Sequence, residues 1–210
     1  MEALVKIRSV ACALPQINVD TDQVLPARFM KEPRTPPAGY ARYLFHDLRR
    51  RADGALDPGF ALNDARSREA KIIVARRNFG SGSSREAAVY ALVDAGLRCI
   101  VAPLHGDIFA ANAVNNGLLP ARASEAAVER MLALLAPGGV EADVDLQACR
   151  ITVAGEAFDF EVDPAWRIRL LNGWDDIDMT RRFAADIAAW CERDAIERPW
   201  ASLRAGAEPG

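Results

Sequence analysis

The chain is poor in cysteine, with four in 210 residues, and Cys12, Cys99, Cys149 and Cys191 stand far apart with no CxxC pair. That scatter signals neither a zinc site nor a self-contained iron–sulfur site, so any metal must come from elsewhere. Only His46 and His105 are present, which leaves a Ser-His-Asp triad without a local signature. GxGxxG, the Walker lysine and the GxSxG elbow are all missing, so sequence support for dinucleotide, P-loop and α/β-hydrolase chemistry is absent. No uninterrupted apolar run occurs: MEALVKIRSVACAL mixes charges into its apolar positions. Neither a signal peptide nor a membrane span is expected, and a cytoplasmic protein is the default. Basic charge is not in excess either. A formal charge of -3 argues against a general nucleic-acid binder. The densest basic run, Arg49-Arg50-Arg51, has no aromatic platform beside it and reads as a solvated helix end.

What is present is the balance of a soluble globular protein: half of the residues are hydrophobic and 26% are charged. The length suits one domain, read here over residues 1–195, with 196–210 as a disordered tail. Alternation over 4–14 predicts a first strand, and NVDTDQVLPARF a polar loop leading to a short apolar segment. KEPRTPPAGYARYLFHDLRRR opens with three prolines and a glycine and then turns helix-like, which makes residues 31–39 a mobile-loop candidate. KIIVAR (71–76), a helix over about 84–95 ended by Gly96, and RCIVAP (98–103) form a strand-loop-helix-strand unit. HGDIFAANAVNNGLLPAR repeats the order, so residues 71–122 predict a parallel α/β core. Beyond it, SEAAVERMLALLA has helical spacing, whereas ADVDL, CRITV and AFDFEV read as strands, the last two joined across Ala154-Gly155-Glu156. Asp163-Pro164 is a helix start, Asn172-Gly173 a stop, and MTRRFAADIAAWCERD a final amphipathic helix.

The stretch NFGSGSSREAAVYAL carries the first candidate site. Its glycines let backbone approach a ligand closely, and the N–H groups that open the next helix favour negative charge. Arg85 offers a bidentate clamp for a carboxylate, with Ser83 or Ser84 as hydrogen-bonding neighbours. A plainer reading fits the same residues: Ser83-x-x-Glu86 has the spacing of a capping box.

Asn18-Val19-Asp20-Thr21-Asp22-Gln23 is the second cluster. A calcium loop fails here, because the positions for the turn glycine and the bidentate glutamate are Gln23 and Phe29. An Asx-turn, or a role in holding a substrate or catalytic partner, remains. His105 reads as a cap or surface residue and Asp107 as a natural cap, while Asn112, Asn115 and Asn116 read as helix-end chemistry before Gly117.

Four blocks in order, NVDTDQVLPARF, RNFGSGSSRE, GDIFAANAVNNGLLP and LLNGWDDIDMT, resemble the 3-isopropylmalate dehydratase small-subunit family over roughly residues 5–195. The resemblance implies an α/β fold, the compact layered β/β/α swivelling domain that corresponds to the detached C-terminal domain of aconitase. It also implies reversible dehydration of a malate-type hydroxy diacid, interconverting 2- and 3-isopropylmalate in leucine biosynthesis. This chain would bind no cofactor itself, and a large-subunit partner would carry a [4Fe-4S] cluster that acts on the departing hydroxyl. By the same resemblance Ser83 matches the general base, Ser84 its hydrogen-bonding neighbour and Arg85 the carboxylate-binding arginine. Thr21 and Asp22 match the family's TD pair, which orients active-site groups at the subunit junction. Phe29 and Met30, which follow that pair, are expected at the rim, reading the substrate's side group.

The match departs from the family pattern at Ser81, where a cysteine is usual, at Ala87, where a histidine is usual, and at His105. Those departures bear on the substrate. A paralogous small subunit for another alkyl- or methyl-substituted malate is the first alternative, and a non-catalytic partner module the second.

Overall fold

The computed structural model describes residues 1–83, 85–136 and 138–201. Three short apolar runs become the parallel strands β2 (Ile72–Ala75), β3 (Cys99–Ala102) and β4 (Leu119–Arg122), and β1 (Lys6–Leu14) lies parallel to β2. Every residue of β2 and β3 is buried, because parallel strands covered on both faces need apolar side chains on both. Ile73 and Ile100 enter one core, closed by Val89 and Leu92 of α2 (Glu86–Asp94) and Phe109 of α3 (Asp107–Asn115). Ile72, Val74, Cys99 and Val101 enter the other, closed by Val128, Met131 and Leu135 of α4 (Glu125–Leu135) and Leu170 of α5 (Pro164–Asn172).

The β-rich segment continues the same sheet. β5 (Val140–Asp145) runs antiparallel to β1, with Lys6 opposite Asp145 and Arg8 opposite Asp143. β6 (Arg150–Val153) and β7 (Glu156–Asp159) follow, giving the seven-stranded order β4-β3-β2-β1-β5-β6-β7. Ala154 and Gly155 link β6 to β7 at φ 49° and 83°, the two left-handed residues that match a tight hairpin to the strand twist. At α5, Asp163 accepts from the N–H groups of Ala165 and Trp166, Pro164 stands in the first turn, and Gly173 closes the helix at φ 68°.

Two expected helices differ. Residues 40–51 form only the 3-10 turn Ala41–Tyr43, because Phe45 sits at φ 51°, a left-handed conformation that an α-helix cannot contain. The final helix divides into α6 (Asp176–Arg181) and α7 (Ala184–Glu197), separated where Phe183 leaves helical geometry at φ -102° and ψ 21°. The chain forms two compact units, Met1–Gly173 and a second from Trp174 onward that contains α6 and α7. Ile196 and Glu197, read as the start of a tail, belong to α7, and 202–210 lie outside the described residues. No described helix is long and apolar enough to cross a membrane.

Candidate active site

β1, β2 and β3 are parallel, so the loops after them leave from one end of the sheet, where α/β folds place ligands. Backbone bonds stitch those loops together. Asn78 and Phe79 donate to Leu104 O at 2.8 and 3.1 Å, and Gly106 N donates to Phe79 O at 2.9 Å. Gly80 N donates to Val19 O at 2.8 Å and Thr21 N to Ser81 O at 2.9 Å. Two of the turns leave no room for a Cβ unless a neighbouring side chain moves. At Gly80 (φ 75°) a Cβ would lie 2.1 Å from Phe109 Cγ, and at Gly82 (φ 85°) 1.9 Å from Asp20 Oδ2.

The VDTDQ cluster resolves into a capping box that opens α1 (Thr21–Val24). Asp20 Oδ1 accepts from Asp22 N at 2.6 Å, and Gln23 Oε1 from Asp20 N at 2.9 Å. This fixes Thr21 and Asp22 on one turn, aimed at the second loop. Thr21, 1% exposed, donates its hydroxyl to Ser83 O at 2.7 Å. Asp22 Oδ1 accepts from Arg85 Nη1 at 2.5 Å. Thr21, Asp22, Ser83 and Arg85 thus meet across a separation of more than 60 residues.

Ser83 is not the helix cap. α2 begins at Glu86, with Arg85 as its cap residue in extended conformation (φ -98°, ψ 121°), and among the described residues no side chain caps it. The Thr21 hydroxyl holds the Ser83 carbonyl and Gly82 turns left-handed, so the chain enters the helix two residues later than the spacing suggests. Glu86 does not reach back; its Oε1 accepts from Asn116 Nδ2 at 3.0 Å. The positive end of α2 therefore opens beside Arg85, with Ser83 exposed next to it. Ser84 lies outside the described residues. Met30 Sδ accepts from Arg85 Nη1 at 3.7 Å, which puts this side chain against the guanidinium. Phe29 stacks on Tyr43 at 4.2 Å between ring centroids and tilts against His46 at 4.7 Å.

His105 is neither a cap nor a surface residue. Gly106 caps α3, and Asp107 is the first helical residue. The imidazole is 8% exposed, with Nε2 3.3 Å from Ile100 O and its ring parallel to Phe109. Burial pushes its pKa down from 6.5 to about 4; the Ile100 carbonyl opposes this and the Arg122 charge adds to it. His105 thus backs Phe109, which in turn lies beneath Gly80. The helix-end reading holds for Asn116, the cap residue that closes α3, whereas Asn115 Oδ1 accepts from Arg169 Nη2 at 2.9 Å. Sequence reasoning missed Asp20 as the organiser of the first loop, although Asp20-x-x-Gln23 carries capping-box spacing.

Residues 1–126 match the family described as the aconitase C-terminal domain. A 3-isopropylmalate dehydratase small subunit of Rhodospirillum centenum is 45% identical over 204 residues, covering 96% of this chain and 99% of the relative. The chain belongs to the 3-isopropylmalate dehydratase small-subunit family. A member from Shouchella clausii is 40% identical over 195 residues, covering 93% of this chain and 98% of its own length. A solved 3-isopropylmalate dehydratase structure from Methanocaldococcus jannaschii shares the fold, with a TM-score of 0.62 over 88% of this chain and 98% of that one, at 24% identity.

Within this member, no group of three or more His, Cys, Asp or Glu among the described residues is placed to hold a metal. Cys12 and Cys99 are interior sheet thiols whose pKa burial pushes up, for Cys12 to about 12, so neither offers a thiolate. Of the constellation, Ser83 is exposed and Asp22 and Arg85 are half-buried, whereas Thr21 is buried. Grooves such as the one of about 620 Å³ between Pro58-Gly59 and α4 are lined by other residues.

Proposed function

We propose that this chain is the small subunit of a 3-isopropylmalate dehydratase, a hydro-lyase that interconverts 2- and 3-isopropylmalate in leucine biosynthesis. The observation that carries the reading is the Asp22–Arg85 pair beside an exposed Ser83 at an open helix start. Among the described residues Arg85 Nη1 is engaged by Asp22 and Met30, whereas Nε and Nη2 have no partner. That free edge of the guanidinium is the planar fork which grips a carboxylate at two points.

In this reading a large-subunit partner would hold a [4Fe-4S] cluster, which would lend Lewis acidity to departure of the hydroxyl. Arg85 holds a substrate carboxylate, and Asp22 sets the angle of its guanidinium. Thr21 holds the Ser83 backbone, so the Ser83 hydroxyl projects from a fixed point. As an alkoxide, Ser83 accepts the proton from the carbon next to the one that loses hydroxyl. The C–H pair becomes the double bond as the C–O bond breaks. Addition in the opposite sense returns the proton from Ser83 and places the hydroxyl on the neighbouring carbon. Alkoxide is costly in water, so the first-turn N–H groups of α2 and the Arg85 charge stabilise it once docking excludes solvent.

An open constellation of this kind is half of a site. The chain purified alone is expected to lack iron–sulfur absorbance and to be inactive, and to gain turnover when reconstituted large subunit is added under anaerobic conditions. A panel of alkylmalates then identifies the preferred side group. Turnover by the cluster-free chain alone would overturn the split-site reading.

A further inference from the structure

Asp94 places a negative charge in the last turn of α2, where the helix dipole disfavours one. Its carboxylate accepts three hydrogen bonds, from Arg34 Nε at 2.9 Å, Arg34 Nη2 at 2.6 Å and Tyr40 N at 2.8 Å. Burial alone would push its pKa up, but the bonds from Arg34 and Tyr40 prevail and hold the carboxyl below its ordinary value. Gly39 passes so close, at φ 48°, that a Cβ would lie 2.1 Å from Asp94 Oδ2. Arg34 is held from its other face by the Tyr90 ring, 4.1 Å from the centroid. The proline-rich segment is therefore pinned to α2 at Arg34 and Tyr40.

From Tyr40 the contacts lead back toward the site. Its hydroxyl donates to Glu32 O at 3.1 Å and approaches Met30 O at 3.5 Å. Met30 Sδ in turn meets Arg85 Nη1 at 3.7 Å. One helix thus carries Arg85 at its start and, at its end, the carboxylate that anchors the loop returning to Arg85.

We infer that Asp94 and Tyr40 form a positioning relay for Arg85. Asp94 fixes the Tyr40 backbone, the Tyr40 hydroxyl fixes the chain at Met30–Glu32, and the Met30 thioether limits rotation of the guanidinium about its bond to Asp22. The free Nε–Nη2 edge is then presented in one orientation, so carboxylate binding depends on residues that never touch the substrate. The relay concerns the same site as the proposed function and rests on it only for the identity of the carboxylate ligand.

The test uses the full chain carrying Asp94→Asn or Tyr40→Phe. Amide hydrogen exchange across 31–40 and the rate of Met30 oxidation by hydrogen peroxide are read first, without substrate. Asp94→Asn is expected to exchange about tenfold faster there, the scale of one lost charge-assisted hydrogen bond, and Tyr40→Phe about fivefold faster, the scale of one lost neutral bond; both should oxidise Met30 faster. Assembled with the large subunit, they should show KM for isopropylmalate raised about fivefold or more, with kcat within about twofold of wild type. Arg34→Lys, which leaves Asp94 intact and keeps a cation opposite it, should lose less exchange protection than Asp94→Asn. Unchanged exchange and oxidation in both variants would overturn the relay whatever the complex acts on. Faster exchange with unaltered KM would make Asp94 a scaffold residue and overturn it too. Because exchange and oxidation need no substrate, a wild-type complex inactive on isopropylmalate counts against the proposed function while those two measurements still decide the relay.

Discussion

Asp22 and Arg85 are joined by a 2.5 Å hydrogen bond between Oδ1 and Nη1, and through it the first turn of α1 meets the first turn of α2. Nη1 of the guanidinium is thereby committed to the protein, whereas among the described residues Nε and Nη2 have no partner.

Arg85→Lys should raise KM by on the order of ten- to a hundredfold, the range expected when hydrogen bonds to a charged group are lost. An ammonium can keep the bond to Asp22 or reach the ligand at one point, and cannot present a fork. Steady-state kinetics with the large subunit check this, and unchanged KM and kcat would assign Arg85 to the scaffold.

Ser83→Ala should reduce turnover at least about a hundredfold, within the range of general acid–base catalysis. Its stability should change by less than about 0.5 kcal/mol, because among the described residues the Ser83 side chain caps nothing and only its backbone carbonyl is bonded. Wild-type turnover with partner and intact cluster present would remove Ser83 as the base.

Gly82→Ala and Gly54→Ala separate backbone strain from crowding. Both residues are left-handed (φ 85° and 83°), but a Cβ at Gly54 meets nothing within 4 Å, whereas at Gly82 it meets Asp20. Gly54→Ala should cost about 1–2 kcal/mol in urea unfolding, the ordinary penalty for an alanine there. Gly82→Ala should cost more and lose activity, since Asp20 must leave the capping box to admit the methyl.

His105 predicts a pH dependence. Its folded pKa of about 4 lies below the ordinary 6.5, so between those values the unfolded chain binds the proton and the folded one does not. Stability from this group is complete above pH 6.5, declines as pH falls toward 4 and levels off below it. The full loss is on the order of 3 kcal/mol. Relative to wild type, His105→Gln should flatten Tm against pH across that window, and parallel curves would show that the imidazole is not held neutral.

Local signals were legible where the chain satisfies itself locally. Asp163-Pro164 and Gly173 bound α5 as read, because a cap, a fixed φ and a left-handed stop act within a few residues. The unbroken apolar runs IIVA and CIVA likewise need nothing beyond two covered faces. Ser83-x-x-Glu86 misled for the opposite reason. Its spacing is that of a capping box, but Thr21, 62 residues earlier, takes the Ser83 carbonyl, and Asn116, 30 residues later, takes Glu86. His105 read as a cap or surface residue because the Gly106–Phe79 bond that folds it inward joins two loops. Residue types in the candidate site were readable; the pairings Thr21–Ser83 and Asp22–Arg85 were not, since no periodicity links positions brought together by a sheet.

The central place of β1 has a consequence for synthesis. This strand is made well before its second partner, β5, which begins only at Val140, so one edge stays unpaired while the intervening residues are made. Lys6 and Arg8 lie exposed along that strand, and charge on an open edge discourages pairing with another newly made chain. When β5 arrives, Lys6 meets Asp145 at 3.0 Å and Arg8 meets Asp143 at 3.8 Å, each directly opposite in the ladder. A slip of β5 by one residue would turn Ala142 and Val144 out of the core and separate both pairs, so the charges that guard the waiting edge also mark where its partner must stop.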